Sequence, residues 1–404
     1  MSSLDIGVVG TGTAGSATAL FLARAGHRVT VYERVAQPST VGAGIMLQPT
    51  GMAVLRALGL ASEVVPRGDV IDALKVETPG GHAVMDLRYA DLQPGLFGVG
   101  LHRGVLFDVL FRAVASEPGV TLRTGVGVES LRSHPDGSVS VFTGASREAL
   151  GRHAVLVVAD GARSGLRDDT ALGKQVSRYP WGALWAIVPD ETNRYTGRLF
   201  QVVRGTQRLI GLLPTGHGPG GGPRMVSFFF SLPVAAREAF FEGDFDAWRA
   251  GVLEDVPSAA PVLERLAGPE ALLFSEYHDV SMWPWNTRGV VYVGDAAHAM
   301  SPQLGQGCNL ALLDAYSLGQ AFVAPESVAD ALHAYSRARR WHLRWYQFIT
   351  RALTPFFQSD LRALATLRDV GVPLAAKVPW MRKHMVAAMA GISRGPFADW
   401  LPLP

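Results

Sequence analysis

Ile6-Gly-Val-Val-Gly10-Thr-Gly12-Thr-Ala-Gly15-Ser-Ala-Thr-Ala-Leu-Phe-Leu-Ala-Arg24-Ala-Gly26-His-Arg28-Val-Thr-Val-Tyr-Glu33 decides the fold. The apolar run 6–9 is too short for a helix and reads as a buried strand, residues 10–15 as a tight turn, 16–25 as a helix that stops at Gly26, and 28–32 as a second strand. Parallel strands need such a crossover helix, so this is a βαβ unit opening a parallel sheet. Residues 6–23 carry no charge, yet their glycines and hydroxyl side chains, with Asp5 in front, argue against a membrane anchor.

In that context each glycine has a task. Gly10 permits the turn, Gly12 lets the backbone approach a pyrophosphate, and Gly15 allows the helix to pack closely on the strand. Helix amides would receive the pyrophosphate. Glu33, eighteen residues past Gly15, ends the second strand where a carboxylate can accept from ribose hydroxyls. The unit suits the ADP portion shared by NAD and FAD and does not separate them.

Composition bounds the rest. At 404 residues with 48% hydrophobic and 18% charged residues, the chain has the make-up of a packed globular protein of two interleaved domains. A net charge of +2 without basic blocks excludes the electrostatic footprint of a nucleic-acid binder. The single cysteine, Cys308, rules out an internal disulfide, so a cytoplasmic location is expected. No metal site is expected.

Further elements follow from periodicity. Residues 104–116 read as an amphipathic helix, and 121–123, 126–131, 139–142 and 154–159 as short strands. Between 179 and 274, aromatic-rich strand candidates at 181–188, 199–203, 208–213 and 225–232 suit an inserted antiparallel sheet. The glycine-rich stretch 217–223 is expected to be a mobile loop. A buried strand returns at 290–293, a helix is expected over 309–322, and the tail from 327 is helical in pattern. Arg337, Arg340 and Arg344 alternate there with Trp341, Trp345 and Phe348; this segment is expected to pack on the nucleotide-binding domain, with weak membrane-surface association as the alternative.

Val291-Tyr-Val-Gly294-Asp295-Ala-Ala-His298 places an acid just after an apolar strand, followed by Pro302 and Gly305-Gln-Gly307-Cys308-Asn309. A carboxylate at a strand end can bind a ribityl chain, and a glycine-rich helix start supplies donors and partial positive charge to a reduced isoalloxazine. His298 is expected to be packed rather than catalytic.

Together, Gly10 to Gly15 with Glu33, Val158-Ala-Asp160-Gly161-Ala-Arg-Ser164-Gly-Leu-Arg167, and Gly294-Asp295 through Asn309 resemble the three fingerprints of the flavin-dependent aromatic hydroxylases of the para-hydroxybenzoate hydroxylase type, across roughly residues 5–325. The resemblance implies an α/β fold: a three-layer FAD/NAD(P)-binding Rossmann-like domain of the glutathione-reductase type, an inserted mostly antiparallel substrate sheet, and C-terminal helices. The FAD-binding domain is expected over 1–75, 101–178 and 276–326, substrate-domain strands over 76–100 and 179–275, and a helical region over 327–404.

It also implies site residues. FAD would be held by Gly10, Gly12, Thr13, Ala14, Gly15, Glu33, Arg34, Arg103, Val128, Asp160 and Asp295, and by the Gly305, Gly307, Cys308 and Asn309 segment. Pro302, Gly305 and Gly307 would lie by the flavin, with no side-chain nucleophile. Asp160 and Arg167 would serve transient NAD(P)H, and Cys308 would be a small apolar residue under the flavin. The implied reaction has NADPH or NADH reduce the flavin and a C4a-hydroperoxide pass oxygen to an aromatic or polyketide-like small molecule. A flavin epoxidase or Baeyer-Villiger oxygenase, or a reductase, is the alternative. The protein is expected to be a monomer or homodimer.

Overall fold

The computed structural model describes residues 3–39, 43–144 and 148–404. Strand Asp5–Val9, helix Thr13–Arg24 and strand Arg28–Glu33 form the opening unit. They belong to a six-stranded sheet ordered Asn286–Thr287, Val290–Tyr292, Val155–Val158, Asp5–Val9, Arg28–Glu33, Val120–Thr124, parallel except at the 286–287 edge. Its central strands are continuous apolar runs because both faces are covered: Ile6, Val8, Leu156, Val157 and Val290 are all fully buried.

Gly10 has φ +99°, and a Cβ there would stand 2.6 Å from the Ala159 carbonyl oxygen. At Gly15 a Cβ would meet the Gly10 carbonyl oxygen at 2.0 Å. Both positions therefore require glycine on steric grounds. Helix Gly307–Ala321 packs beside helix Thr13–Arg24, where Phe21 meets Tyr316 edge-on at 5.6 Å.

A three-stranded antiparallel sheet of Ser130–Ser133, Val139–Thr143 and Glu148–His153 forms a further layer. The expected strand over 126–131 is mostly irregular: residues 126–129 cross the end of the parallel sheet instead, tied by the Val126 N–H to the Glu33 carbonyl at 2.9 Å.

The second sheet has the order Leu273–Trp283, Gly173–Pro189, Gly221–Pro233, Arg208–Gly218, Gly197–Arg204, Asp69–Glu77, Gly98–His102, Gly44–Leu47, with Ala83–Arg88 beside Asp69–Glu77. One face, through Leu184, Val202, Leu212 and Phe228, packs on short helices between residues 237 and 263. Alternation turns Leu199, Leu213 and Phe229 to the other face. Strand Gly173–Pro189 runs through residue 179 and Leu273–Trp283 through residue 276, so those expected boundaries fall inside strands that span both regions. The stretch expected to be a mobile loop at 217–223 is instead the tip of a hairpin, in which Gly218 pairs with Gly221 across a turn at Pro219 and Gly220.

Helices Val328–Phe357, Ala363–Ala376 and Pro379–Met389 close the structure. The first buries Leu332, Tyr335, Leu343 and Tyr346 and leaves Trp341 and Phe348 outside, so it does pack on the core.

Candidate active site

The expected cofactor residues converge on the carboxyl ends of the parallel strands, where open α/β sheets form their binding crevices. Gly12 begins the helix end there and is exposed; a Cβ on it would meet nothing within 4 Å. Open space at this one glycine, between two crowded ones, is what a closely approaching ligand requires. Glu33 accepts from the Thr11 N–H at 3.0 Å, the Thr11 hydroxyl at 2.7 Å and the Val35 N–H at 2.9 Å. Its carboxylate is thereby fixed at the end of its strand. Arg34 lies next, against Gly127, with the partly buried Val128 following.

Strand Val290–Tyr292 leads to Gly294 at φ +59°, whose absent side chain leaves room for Ala14. Asp295 follows as an exposed carboxylate between buried neighbours, and it makes no ion pair among the described residues. Gly307 stands across from it: a Cβ there would lie 3.9 Å from Asp295 Oδ1. Burial pushes the Cys308 thiol up to about 12, with Arg103 opposing, Asp295 reinforcing and the Thr13 hydroxyl bonded to it. Cys308 is thus a protonated, inert thiol within the electrostatic reach of Arg103 and Asp295, and helix-start activation does not apply. Arg103 begins helix Arg103–Ser116 and is exposed; the cap is supplied by His102, whose Nδ1 accepts from the Gly104 N–H at 3.0 Å. The array Gly12, Thr13, Arg103, Asp295, Gly307 and Cys308 fits an FAD laid from the Gly12 turn toward the 305–309 loop.

Two of the expected site residues are also tied into the fold by their side chains. Arg167 is buried, and its guanidinium donates to the Ala296 carbonyl at 2.9 Å and the Ala162 carbonyl at 2.6 Å. It clamps two fingerprint loops together and also lines the cleft beside Asp160. Asn309 is also fully buried: Oδ1 accepts from the Gln48 N–H at 2.8 Å while Nδ2 donates to the Met46 and Gly305 carbonyls at 3.0 and 3.1 Å. Its side chain holds the loop, leaving only its backbone for a cofactor. Asp160 keeps its place after strand Val155–Val158; desolvation raises its carboxyl although Ser164, Arg167 and Arg34 act to lower it. Beside it Arg163, Arg167, Ser177, Arg178, Glu276 and His278 line a cleft of about 580 Å³. Another cleft, of about 930 Å³ between Trp283, Arg288, Leu332 and Arg337, opens at the amino-terminal ends of the strands, away from these residues.

A buried carboxylate outside all three fingerprints lies close to Asp295. Asp314, fully buried in helix Gly307–Ala321, accepts from the Gly294 N–H at 2.9 Å, His298 Nε2 at 2.5 Å and Arg339 Nε at 2.8 Å. Burial opposes its charge, but His298 and Arg339 hold its carboxyl well below the usual range. Arg339 in turn donates to His342 Nδ1 at 2.9 Å, and His342 Nε2 donates to the Gly391 carbonyl at 2.8 Å. His298 is packed, as expected. An acid isolated in the apolar run Asn309-Leu-Ala-Leu-Leu-Asp314-Ala was the available signal.

On the far side of the 302–309 loop, Gly305 adopts φ +60° and would bring a Cβ within 3.5 Å of Met46. Met46 and Leu213 share a cluster with Leu74 and Leu199, which Phe229 and Phe357 extend. Gln303 reaches Gln358 at 2.7 Å along this wall.

Residues 3–346 match a protein family described as FAD binding domain. The aurachin C monooxygenase/isomerase of Stigmatella aurantiaca is 28% identical over 84% of this chain and 85% of its own. The 2-heptyl-3-hydroxy-4(1H)-quinolone synthase of Mycobacteroides abscessus is 29% identical over 84% of this chain and 87% of its own. The structure of Klebsiella pneumoniae HpxO complexed with FAD and uric acid superposes with a TM-score of 0.79 at 21% identity, covering 95% of this chain and 97% of that one, and shares the fold. With the family match spanning most of its length, the chain belongs to the FAD-binding domain family as an FAD-dependent, NAD(P)H-consuming aromatic monooxygenase.

Proposed function

We propose that the substrate is a neutral, largely apolar aromatic or heteroaromatic molecule of the alkylquinolone kind. The observation that carries this reading is the apolar packing of Met46, Leu74, Leu199, Leu213, Phe229 and Phe357 on the far side of the 302–309 loop, where Gln303 and Gln358 pair through their amides. Apolar pockets with a few polar groups bind such ligands, whereas a carboxylate substrate would ask for a free cation. The 2-heptyl-3-hydroxy-4(1H)-quinolone named for one relative has this chemistry.

In this reading Gly10, Gly12, Thr13, Ala14 and Gly15 would hold the pyrophosphate side of FAD, Glu33 its ribose, Asp295 its ribityl chain, and Pro302, Gly305 and Gly307 would border its flavin. Bound FAD, reduced by NAD(P)H, supplies the activation of molecular oxygen. The chain contributes position and dryness. Asp295 is free to accept hydroxyl protons, the helix start at Gly307 directs N–H groups toward the flavin edge, and the apolar wall keeps water from the reacting face. The cleft lined by Arg163, Arg167 and Arg178 offers its positive charge to the phosphates of the nicotinamide nucleotide. We place the enzyme in the cytoplasm as a monomer or homodimer, which fractionation and sedimentation equilibrium test.

The decisive experiment measures NAD(P)H consumption and oxygen uptake by the flavin-loaded protein with 2-alkyl-4-quinolones, unsubstituted quinolones and urate. Stimulation that grows with alkyl length supports the reading; turnover of urate with no response to alkylquinolones overturns it.

A further inference from the structure

The C-terminal helices leave one face uncovered. In helix Ala363–Ala376 only Arg368 is buried. Leu367, Val370 and Leu374 fall three and four residues apart, hence on one side of the helix. With Leu361 and Val378 they are between 49% and 61% exposed. A helix of a globular protein ordinarily turns such a stripe inward.

Exposed apolar side chains also follow that helix in the chain. Trp380, at the start of Pro379–Met389, is 45% exposed and stacks at 6.1 Å on Phe397, which is 93% exposed. Of the eighteen large hydrophobic side chains exposed among the described residues, ten lie beyond residue 360, so the surface is local and not the scatter normal for a monomer.

Charge is concentrated in the same segment. Residues 361–404 carry six Lys and Arg against two Asp, while the preceding chain carries 31 against 33 acids. Arg368 and Arg382 are paired with Asp369 and Asp91. Arg362, Lys377 and Lys383 are exposed and make no ion pair among the described residues.

We infer that this face docks on an anionic lipid surface. The aliphatic stripe would enter the boundary between headgroups and acyl chains, Trp380 and Phe397 would sit at headgroup level, and the free lysines would meet lipid phosphates. No helix among the described residues is long and apolar enough to cross a membrane, so the contact lies in the interface plane. A second copy is the rival occupant, but a two-fold interface would set the unpaired cations of one protomer against the same cations of the other. The inner side of the segment, through Val386, Met389 and Ile392, packs on Met46, Tyr89 and Leu213. The docking face and the wall proposed for substrate are thus two sides of one element, although the inference stands on the surface alone.

The test is co-sedimentation of the flavin-loaded full chain with phosphatidylglycerol/phosphatidylcholine vesicles and with phosphatidylcholine vesicles. Binding to the anionic vesicles is expected, with Lys377→Ala/Lys383→Ala lowering the partition coefficient on the order of thirtyfold. Leu367→Glu/Leu374→Glu should abolish binding, and both variants should keep the flavin content and visible spectrum of the parent. Failure to bind anionic vesicles, equal binding to both vesicle types, or undiminished binding by the double glutamate variant overturns the proposal. A dimer in sedimentation equilibrium that the glutamate substitutions dissociate overturns it in favour of a second copy.

Discussion

Asp314→Ala is expected to damage both stability and cofactor binding, by an amount the structure bounds. The carboxylate is the shared anion of a dry cluster: Arg339 and His298 are 1% and 2% exposed, and both point at it. Removing it leaves a buried guanidinium without its counter-ion, a defect that costs about 3–5 kcal/mol. The Gly294 N–H loses its acceptor too, and Gly294 is the left-handed residue that sets the direction of Asp295. Urea unfolding followed by tryptophan fluorescence measures the first loss, and flavin titration at a temperature where the apo-variant stays folded measures the second. A triple variant, Asp314→Leu/His298→Leu/Arg339→Met, should recover most of the stability, since it leaves no unpaired charge, but not the FAD affinity, since Gly294 stays unheld. A loss below about 1 kcal/mol in Asp314→Ala, with flavin affinity intact, would refute the reasoning.

Gly12→Val should leave the unfolding midpoint nearly unchanged, because a Cβ there meets nothing, while lowering FAD affinity at least about a hundredfold by occupying the pyrophosphate's approach; unchanged flavin content in the purified variant counts against it. Gly15→Ala should instead fail in stability itself, its Cβ falling 2.0 Å from the Gly10 carbonyl oxygen, as thermal unfolding will show. Acidification should destabilise the fold early: burial first, then Arg339, lowers the His342 pKa from 6.5 to about 3, so the stability from its neutral ring is full above pH 6.5 and drains as pH falls toward 3. That gap corresponds to at most about 4–5 kcal/mol, and Asp314 adds a loss of the same sign that begins below about pH 4; a flat urea midpoint between pH 6.5 and 4.5 contradicts this. Cys308→Ala should keep FAD and turnover, the thiol being protonated and inert; loss of both in the assay overturns the packing role.

The parallel core was legible because its signals are local. Strand 6–9, the crowded Gly10 and Gly15, and the helix over 104–116 each follow from neighbouring residues, and they stand within a residue or two of expectation. Strand Gly44–Leu47 and helix Pro49–Ala57 were not anticipated: they are short, and what fixes them is Asn309, more than 250 residues away. Arg167 and Asn309 illustrate a second limit. Polar residues inside a fingerprint look like ligands for a cofactor, yet both side chains satisfy backbone carbonyls that burial would otherwise orphan. Asp314 shows the converse, a residue outside every fingerprint whose partners, His298 and Arg339, meet it only through packing of the 307–321 and 328–357 helices.

Asn309 also explains why the two sheets can act as one site. Its single amide touches the Gln48 N–H and the Met46 carbonyl on the substrate-side sheet and the Gly305 carbonyl on the loop that starts the next helix. Gly305 is left-handed and, as glycine, does not by itself fix the loop, so the bond from Asn309 to its carbonyl does the holding. A displacement of the second sheet would therefore be carried to the loop through three hydrogen bonds rather than absorbed by slack. The geometry facing the flavin is set by the same side chain that seats Met46 in the apolar wall, so changes to that wall should alter how oxygen chemistry is coupled to substrate as well as which substrate enters.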